Sequence, residues 1–168
     1  MSPHQPITAT RTDASMLDCP LPELLDHILK TYHAPLRADL TQLQQLIQQG
    51  LSTSTAAQRM ILEQIEQNFS ALCEELELHM DKEEKVLFPW IRAGRGMSAK
   101  APIKVMLREH RQTEELLARL RSLGARYAGA VDASAAARSI AQDLAAIENS
   151  LQAHMRLEEL LFSRALAA

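Results

Sequence analysis

The chain has 168 residues, of which 46% are apolar, and this is enough material for one globular domain with a single core. Only 4% of its residues are aromatic, and 5 Gly and 7 Pro are too few for the turns of an all-β sandwich or barrel, so an all-α protein is favoured. The formal net charge of -3 gives no basic footprint for nucleic acid and no polybasic segment for an anionic membrane. We therefore expect neither as a partner.

Residues 1–20 show no apolar periodicity and no apolar run that could serve as a signal-peptide core. We expect 1–20 to form a flexible lead-in and 21–168 to form the folded domain. No window approaches the roughly 20 consecutive apolar residues that span a bilayer. Two cysteines, Cys19 and Cys73, are too few for a disulfide scaffold, and Cys73 is interpreted as a small buried apolar residue. A cytoplasmic location fits these features best.

Four stretches with apolar residues at steps of three and four follow Leu21, and this spacing predicts four long helices. The predicted linkers are short and cover 50–55, 94–102 and 124–134. Short connections place successive helices antiparallel, which predicts an up-down-up-down four-helix bundle. Pro35 lies inside the first stretch and predicts a kink there, because proline removes one backbone donor.

Every predicted helix carries a histidine on its apolar stripe: His33, His79, His110 and His154. A lone histidine in such a place is more often a satisfied core residue than a metal ligand. The second and fourth stretches, however, repeat one pattern 75 residues apart, so that His79 and Glu83 recur as His154 and Glu158. Residues four apart lie on one helix face, and each His-Glu pair can therefore chelate a cation.

Ionised carboxylates in a bundle core cost on the order of several kcal/mol each unless they are compensated, and no Lys or Arg occupies any of the four stripes. The pattern therefore predicts two bound cations, with two histidines on each and with Glu83 and Glu158 bridging them. Nitrogen-rich coordination with open positions suits iron better than magnesium or calcium, and zinc would more often take four ligands around a single ion. A purely structural polar cluster is the alternative.

The sequence around these residues is similar to one known family. The strings that carry the similarity are DHILKTYH around His33, ELELHMDKEEKVLFPWI around His79 and Glu83, PIKVMLREH ending at His110, and HMRLEE at His154 and Glu158. They resemble the hemerythrin-like (HHE) domains and, among these, the di-iron domain of the repair-of-iron-centres proteins. The resemblance implies a hemerythrin-like bundle with a non-heme di-iron centre that is carboxylate-bridged and oxo-bridged.

The resemblance also implies the function and the site residues. The two iron ions would support the repair of iron-sulfur clusters damaged by nitric oxide or oxidative stress, as an iron donor in transient contact with damaged iron-sulfur proteins. The implied ligands are His33, His79, His110 and His154, with Glu83 and Glu158 as bridges. Glu75 and Glu109 match acidic positions near the family's iron, where they would relay protons or pass iron outward. Solvated helix charge is the alternative for these two acids.

The chain departs from the family in two respects. Family members usually carry a small cysteine-bearing domain before the bundle, whereas about twenty residues precede it here. The segment from Glu158 to Phe162 is one residue shorter than its counterpart from Glu83 to Phe88. Ser163 also stands where the second stretch has Pro89, so we expect the last turns of the two helices to differ. Two other functions stay open: a module that binds oxygen or nitric oxide, and an enzyme that reduces nitric oxide or peroxide.

Overall fold

A computed structural model describes residue 16 and residues 18–131 and 133–167, so that most of the predicted lead-in lies outside the described residues. In these ranges the chain forms four long helices and no strand. The first helix consists of Leu21–Ile28, a π-helical turn at Leu29–His33, and Ala34–Thr53. The second consists of Ala56–Lys82, a π-helical turn at Glu83–Leu87, and Phe88–Arg92. The third and fourth are Gly96–Ala128 and Ala135–Ala167.

The helices pack as an antiparallel bundle. The third helix packs against the second and the fourth, and the first helix packs against the same two. This arrangement confirms the predicted all-α four-helix bundle. None of the described helices is both long enough and apolar enough to cross a membrane.

The apolar interior has two parts with a polar layer between them. The lower core, around Phe69 and Ile147, lies toward the connection between the first two helices. The upper core, around Phe88 and Phe162, lies toward the start of the first helix. On the second helix the lower core ends at Met80 and the upper core begins at Leu87. The predicted ligands fall in the gap, so both cores shield them from solvent.

All three predicted linkers are too long. In the second, Pro102 lies inside the third helix, and in the first and third, glycines that suggested turns serve helix packing instead. Gly50 is buried inside the first helix, where a Cβ would lie 2.9 Å from Cδ2 of Leu62 on the second helix. Gly124 is likewise inside the third helix, where a Cβ would lie 3.2 Å from Cδ1 of Leu144. The actual connections are 54–55, 93–95 and 129–134. A missing side chain at these glycines lets neighbouring helices approach closely.

Both π-helical turns precede a proline at the same distance. A proline ring clashes with the carbonyl four residues earlier in a regular α-helix. For Pro35 and Pro89 those carbonyls belong to Thr31 and Lys85, and both lie inside the π-helical turns. The structure therefore shows a π-helical turn where the sequence predicted a kink at Pro35.

The second π-helical turn also absorbs the one extra residue that the second helix has between its glutamate and phenylalanine, compared with the fourth helix. A π-helical turn acts as a one-residue insertion in an α-helix. The fourth helix has Ser163 in place of a proline and runs without interruption through Ala135–Ala167. With the extra residue absorbed, Phe88 and Phe162 take equivalent places, each stacked on one histidine of the polar layer.

The residues just before the first helix pack on the bundle. Met16 and Cys19 are partly buried against the upper core. Arg164 on the fourth helix donates a 2.6 Å hydrogen bond to the carbonyl of Cys19. At Met16 and Cys19 the chain is thus packed on the bundle, and the rest of the predicted flexible lead-in lies largely outside the described residues.

The close approach of the third and fourth helices gives a test of the packing. A Cβ on Gly96 would lie 1.8 Å from the carbonyl oxygen of Ala165. We expect Gly96→Ala to lower the free energy of unfolding by about 1–3 kcal/mol in urea denaturation, as overpacking does. The exposed change Ser98→Ala is the control and should shift stability by less than about 0.5 kcal/mol. Equal effects of the two changes would contradict this packing.

Candidate metal centre

The six side chains predicted as ligands lie together in the polar layer. They form two groups whose ligand atoms lie within 4.8 Å of one another. The first group is His33, Glu83, His154 and Glu158, and the second is His79, Glu83, His110 and Glu158. Each group could hold one metal ion. Because both glutamates belong to both groups, they are placed to bridge two ions.

The imidazole Nε2 atoms face the glutamates and each other. Nε2 of His33 lies 3.0 Å from Nε2 of His154, which in turn lies 2.5 Å from Oε1 of Glu158. On the other side Nε2 of His110 lies 3.2 Å from Oε2 of Glu158, and Nε2 of His79 lies 3.5 Å from Oε2 of Glu83. Each pair of histidines is thus brought to the carboxylates from two different helices.

The donor set fits a pair of cations. Glu83 and Glu158 are both 0% exposed. Among the described residues, neither oxygen of Glu83 and only one oxygen of Glu158 takes part in a hydrogen bond. Their ion-pair partners in this part of the chain are histidines, with no Lys or Arg. Two carboxylates buried in this way need positive charge, and metal ions would supply it.

The pKa shifts of these buried groups in the protein without metal reflect the same need for positive charge. Burial, followed by the facing carboxylate of Glu158, raises the pKa of Glu83 well above its usual value. Burial acts to raise the pKa of Glu158 as well, but the nearby imidazoles, His154 above all, hold it well below the usual value. Burial acts to lower the pKa of His33, but its close contacts with the carboxylates of Glu158 and Glu83 raise it to about 10. The buried carboxylates thus favour a nearby positive charge, and metal binding at these ligands would compete with protonation.

Two carboxylates outside the centre orient its histidines. Oε1 of Glu84 lies 2.8 Å from Nδ1 of His33 and accepts a 2.9 Å hydrogen bond from Arg37. Oε2 of Glu109 lies 3.0 Å from Nδ1 of His79, and Glu109 is also paired with Lys82. A carboxylate on the second ring nitrogen fixes an imidazole and makes it a better metal ligand.

The other two histidines occupy equivalent positions but are held more loosely. The sequence repeat relates the second helix to the fourth, so Glu159 corresponds to Glu84, and Glu159 faces His110 as Glu84 faces His33. Glu159 is 56% exposed, and its Oε1 lies 3.8 Å from Nδ1 of His110. The residue four places after His110 is Glu114, which cannot anchor Glu159 as Arg37 anchors Glu84.

His154 has an aromatic neighbour in place of a carboxylate. The ring of Tyr32 stacks on it at 5.2 Å between centroids and 10° between planes. The ring of His27 contacts Tyr32 edge-on, with 6.0 Å between the ring centroids. His27 belongs to neither group of candidate ligands. Tyr32 was not singled out from the sequence as a residue of the site. The available signal was its position, because Tyr32 directly precedes the ligand candidate His33 just as Glu109 directly precedes His110.

The two acids singled out in the sequence have different places. Glu109 contacts a candidate ligand, as described above. Glu75 is exposed and lies on the wall of a surface pocket of about 170 Å³ that reaches His79. The pocket is lined by Glu75, Leu78, His79, Lys82, Glu109, Gln112 and Thr113. Cys73 lies elsewhere, partly buried against the lower core, and burial raises the pKa of its thiol to about 11.

Comparison with known proteins agrees with this geometry. The model of the hemerythrin HHE cation binding domain matches residues 24–166. The chain belongs to the hemerythrin HHE family. This domain binds non-heme iron, and a centre of two iron ions is typical of the family. The cofactor expected from the sequence is thereby confirmed.

Relatives of known name are also similar over most of the chain. The iron-sulfur cluster repair protein YtfE of Edwardsiella ictaluri is 36% identical over 151 residues, which are 88% of this chain and 66% of the relative. YtfE of Escherichia coli O157:H7 and of Escherichia fergusonii are each 34% identical over 151 residues, 88% of this chain and 67% of each relative. The chain thus spans about two thirds of their length. These matches confirm the resemblance of this HHE chain to the iron-centre repair family.

A first prediction separates a metal centre from a structural polar cluster. Glu83→Gln should lower the free energy of unfolding of the iron-loaded protein by about 3 kcal/mol at roughly hundredfold excess of iron over Kd, because metal-linked stability is lost. In chelator the same change should be neutral or stabilising, because burial disfavours the charged carboxylate and glutamine is a neutral side chain of the same size. Urea denaturation under both conditions measures this, with the exposed Glu74→Gln as control. Equal losses with and without iron would support the structural cluster.

A second prediction compares the two corresponding carboxylates, Glu84 and Glu159, so that one serves as the control for the other. Glu84→Ala should weaken iron binding about 10–100-fold, because His33 loses its carboxylate partner. Glu159→Ala removes the equivalent carboxylate, which is farther from its histidine, and should weaken binding by less than about threefold. Competition with a chromogenic chelator gives both affinities. Similar effects of the two changes would show that the distance to the histidine does not matter.

Proposed function

We propose that this protein supports the repair of damaged iron-sulfur clusters and that it donates iron from its di-iron centre. The observation that carries the proposal is the pair of buried four-residue groups that share Glu83 and Glu158. In this proposal His33 and His154 hold one ion, His79 and His110 hold the other, and the two glutamates bridge them. The bound iron would supply the metal from which a cluster is rebuilt. The name and similarity of the YtfE relatives support the same function.

A polar route to the metal centre supports the donation of iron rather than its storage. The pocket beside His79 opens to solvent and carries the carboxylates of Glu75 and Glu109. Glu109 is positioned to accept the Nδ1 proton of His79, and Lys82 holds Glu109 in that position. Carboxylates on such a path are ligands that accept a departing cation. Iron would therefore leave past His79, as the family resemblance implies for these acids.

The polar surroundings favour iron release over the carriage of oxygen. An oxygen carrier should wall its ligand site with apolar groups and exclude acids. Here Glu84, Glu109 and Glu159 lie beside three of the four histidines. The proposed partners are damaged iron-sulfur proteins in transient contact, and the cytoplasmic location stays a prediction from the sequence.

Restoration of a damaged enzyme tests the proposal. Reduced, iron-loaded protein should restore a nitric-oxide-damaged iron-sulfur enzyme faster than an equal amount of free ferrous iron. Glu75→Leu should keep the iron content and optical spectrum but slow restoration about threefold or more, because Glu75 lines the pocket. Glu74→Leu is the control, since Glu74 lines a different groove. Wild-type protein that never exceeds free iron would contradict the function, and a Glu75→Leu protein that repairs at the wild-type rate would contradict the route alone.

A further inference from the structure

Four exposed cations follow one side of the upper half of the third helix. They are Lys100, Lys104, Arg108 and Arg111, here called the cation row. At 3.6 residues per turn they fall within an arc of about 80° and extend over about 16 Å. In the parts of the chain that the structure describes, none of the four has a recorded ion pair or hydrogen-bond partner. The only acid in 96–112 is Glu109, which is engaged with His79 and Lys82.

The cation row is distinguished by four like charges on one helix face. Six basic side chains outside the row lie within ion-pair distance of a carboxylate: Arg37, Arg59, Lys82, Lys85, Arg92 and Arg121. Like charges four residues apart destabilise a helix by tenths of a kcal/mol per pair. The row is therefore a local concentration of positive charge in a chain of net charge -3, and an anionic partner would relieve the repulsion within it.

The cation row borders the pocket that reaches the metal centre. Gln112 and Thr113, on the turn that follows Arg108, line the pocket. Across the pocket, on the second helix, Leu78 is 64% exposed. A partner seated on the row would therefore also contact an apolar side chain at the pocket rim. An apolar contact beside a charged rim is the usual composition of a protein-protein interface.

We propose that the cation row docks an acidic protein surface, and that this places a damaged iron-sulfur cluster of the docked protein over the pocket beside His79. The identity of the docked protein as a repair client rests on the proposed function. A single-stranded nucleic acid binds through aromatic side chains on which its bases stack, and residues 96–112 contain no Phe, Tyr or Trp. Opposite charges would steer the encounter and make its rate depend on salt.

Binding of an acidic iron-sulfur protein tests this proposal without any repair step. The probe is an intact [2Fe–2S] ferredoxin of net negative charge, and fluorescence anisotropy gives its Kd for iron-loaded protein at about 20 and 200 mM salt. Wild-type protein should bind less tightly at the higher salt. Lys104→Glu with Arg111→Glu should raise Kd at least about tenfold at low salt and flatten the salt dependence. All proteins should keep the same iron content and optical spectrum.

The matched control makes the same charge change lower on the same helix. Arg119→Glu with Arg126→Glu should raise Kd by no more than about threefold. Equal weakening by both pairs, or wild-type binding that does not depend on salt, would overturn the proposal. So would failure to bind ferredoxin together with retention of duplex DNA or anionic vesicles through the row. Normal ferredoxin binding with no advantage over free iron in repair would reject the proposed function but not the docking surface.

Discussion

The burial of two carboxylates in the middle of the bundle is the constraint on which the rest of the structure depends. Glu83 and Glu158 are fully buried, and in the described residues only histidines pair with them. Positive charge must therefore come from bound metal or from protons. Each of the four helices supplies one imidazole, and apolar cores above and below keep water away. The bundle is thus organised around a polar layer that is incomplete without cations.

The same constraint explains the local irregularities. The spacing from the bridging glutamate to the following phenylalanine is one residue longer in the second helix (Glu83 to Phe88) than in the fourth (Glu158 to Phe162), and the π-helical turn at Glu83–Leu87 absorbs the difference. Phe88 and Phe162 can then close the layer in equivalent places, on His33 and His110. The surroundings are not symmetric, however. His79 lines a polar surface pocket, whereas His154 is covered by Tyr32, so one side of the centre borders a pocket and the other is enclosed.

Periodicity predicted the bundle and the grouping of the six side chains because both depend on residues three and four apart. Helix ends were predicted poorly, since Gly50 and Gly124 allow close packing and only their neighbours in space reveal this. The Arg37-Glu84-His33 contact also escaped prediction, because it joins two helices. The repeated Glu-Glu pair at 83–84 and 158–159 was the sequence signal for this contact. The sequence could not show that Arg37 hydrogen-bonds to Glu84 and that Glu159 has no equivalent arginine four residues after His110.

Anomalous diffraction at the iron absorption edge, from crystals of the iron-loaded protein, tests the central claim most directly. The account predicts two iron peaks per chain. One should lie between His33 and His154 and the other between His79 and His110, with Glu83 and Glu158 contacting both. A single peak, a peak outside the polar layer, or a centre that holds one zinc and no iron would contradict it.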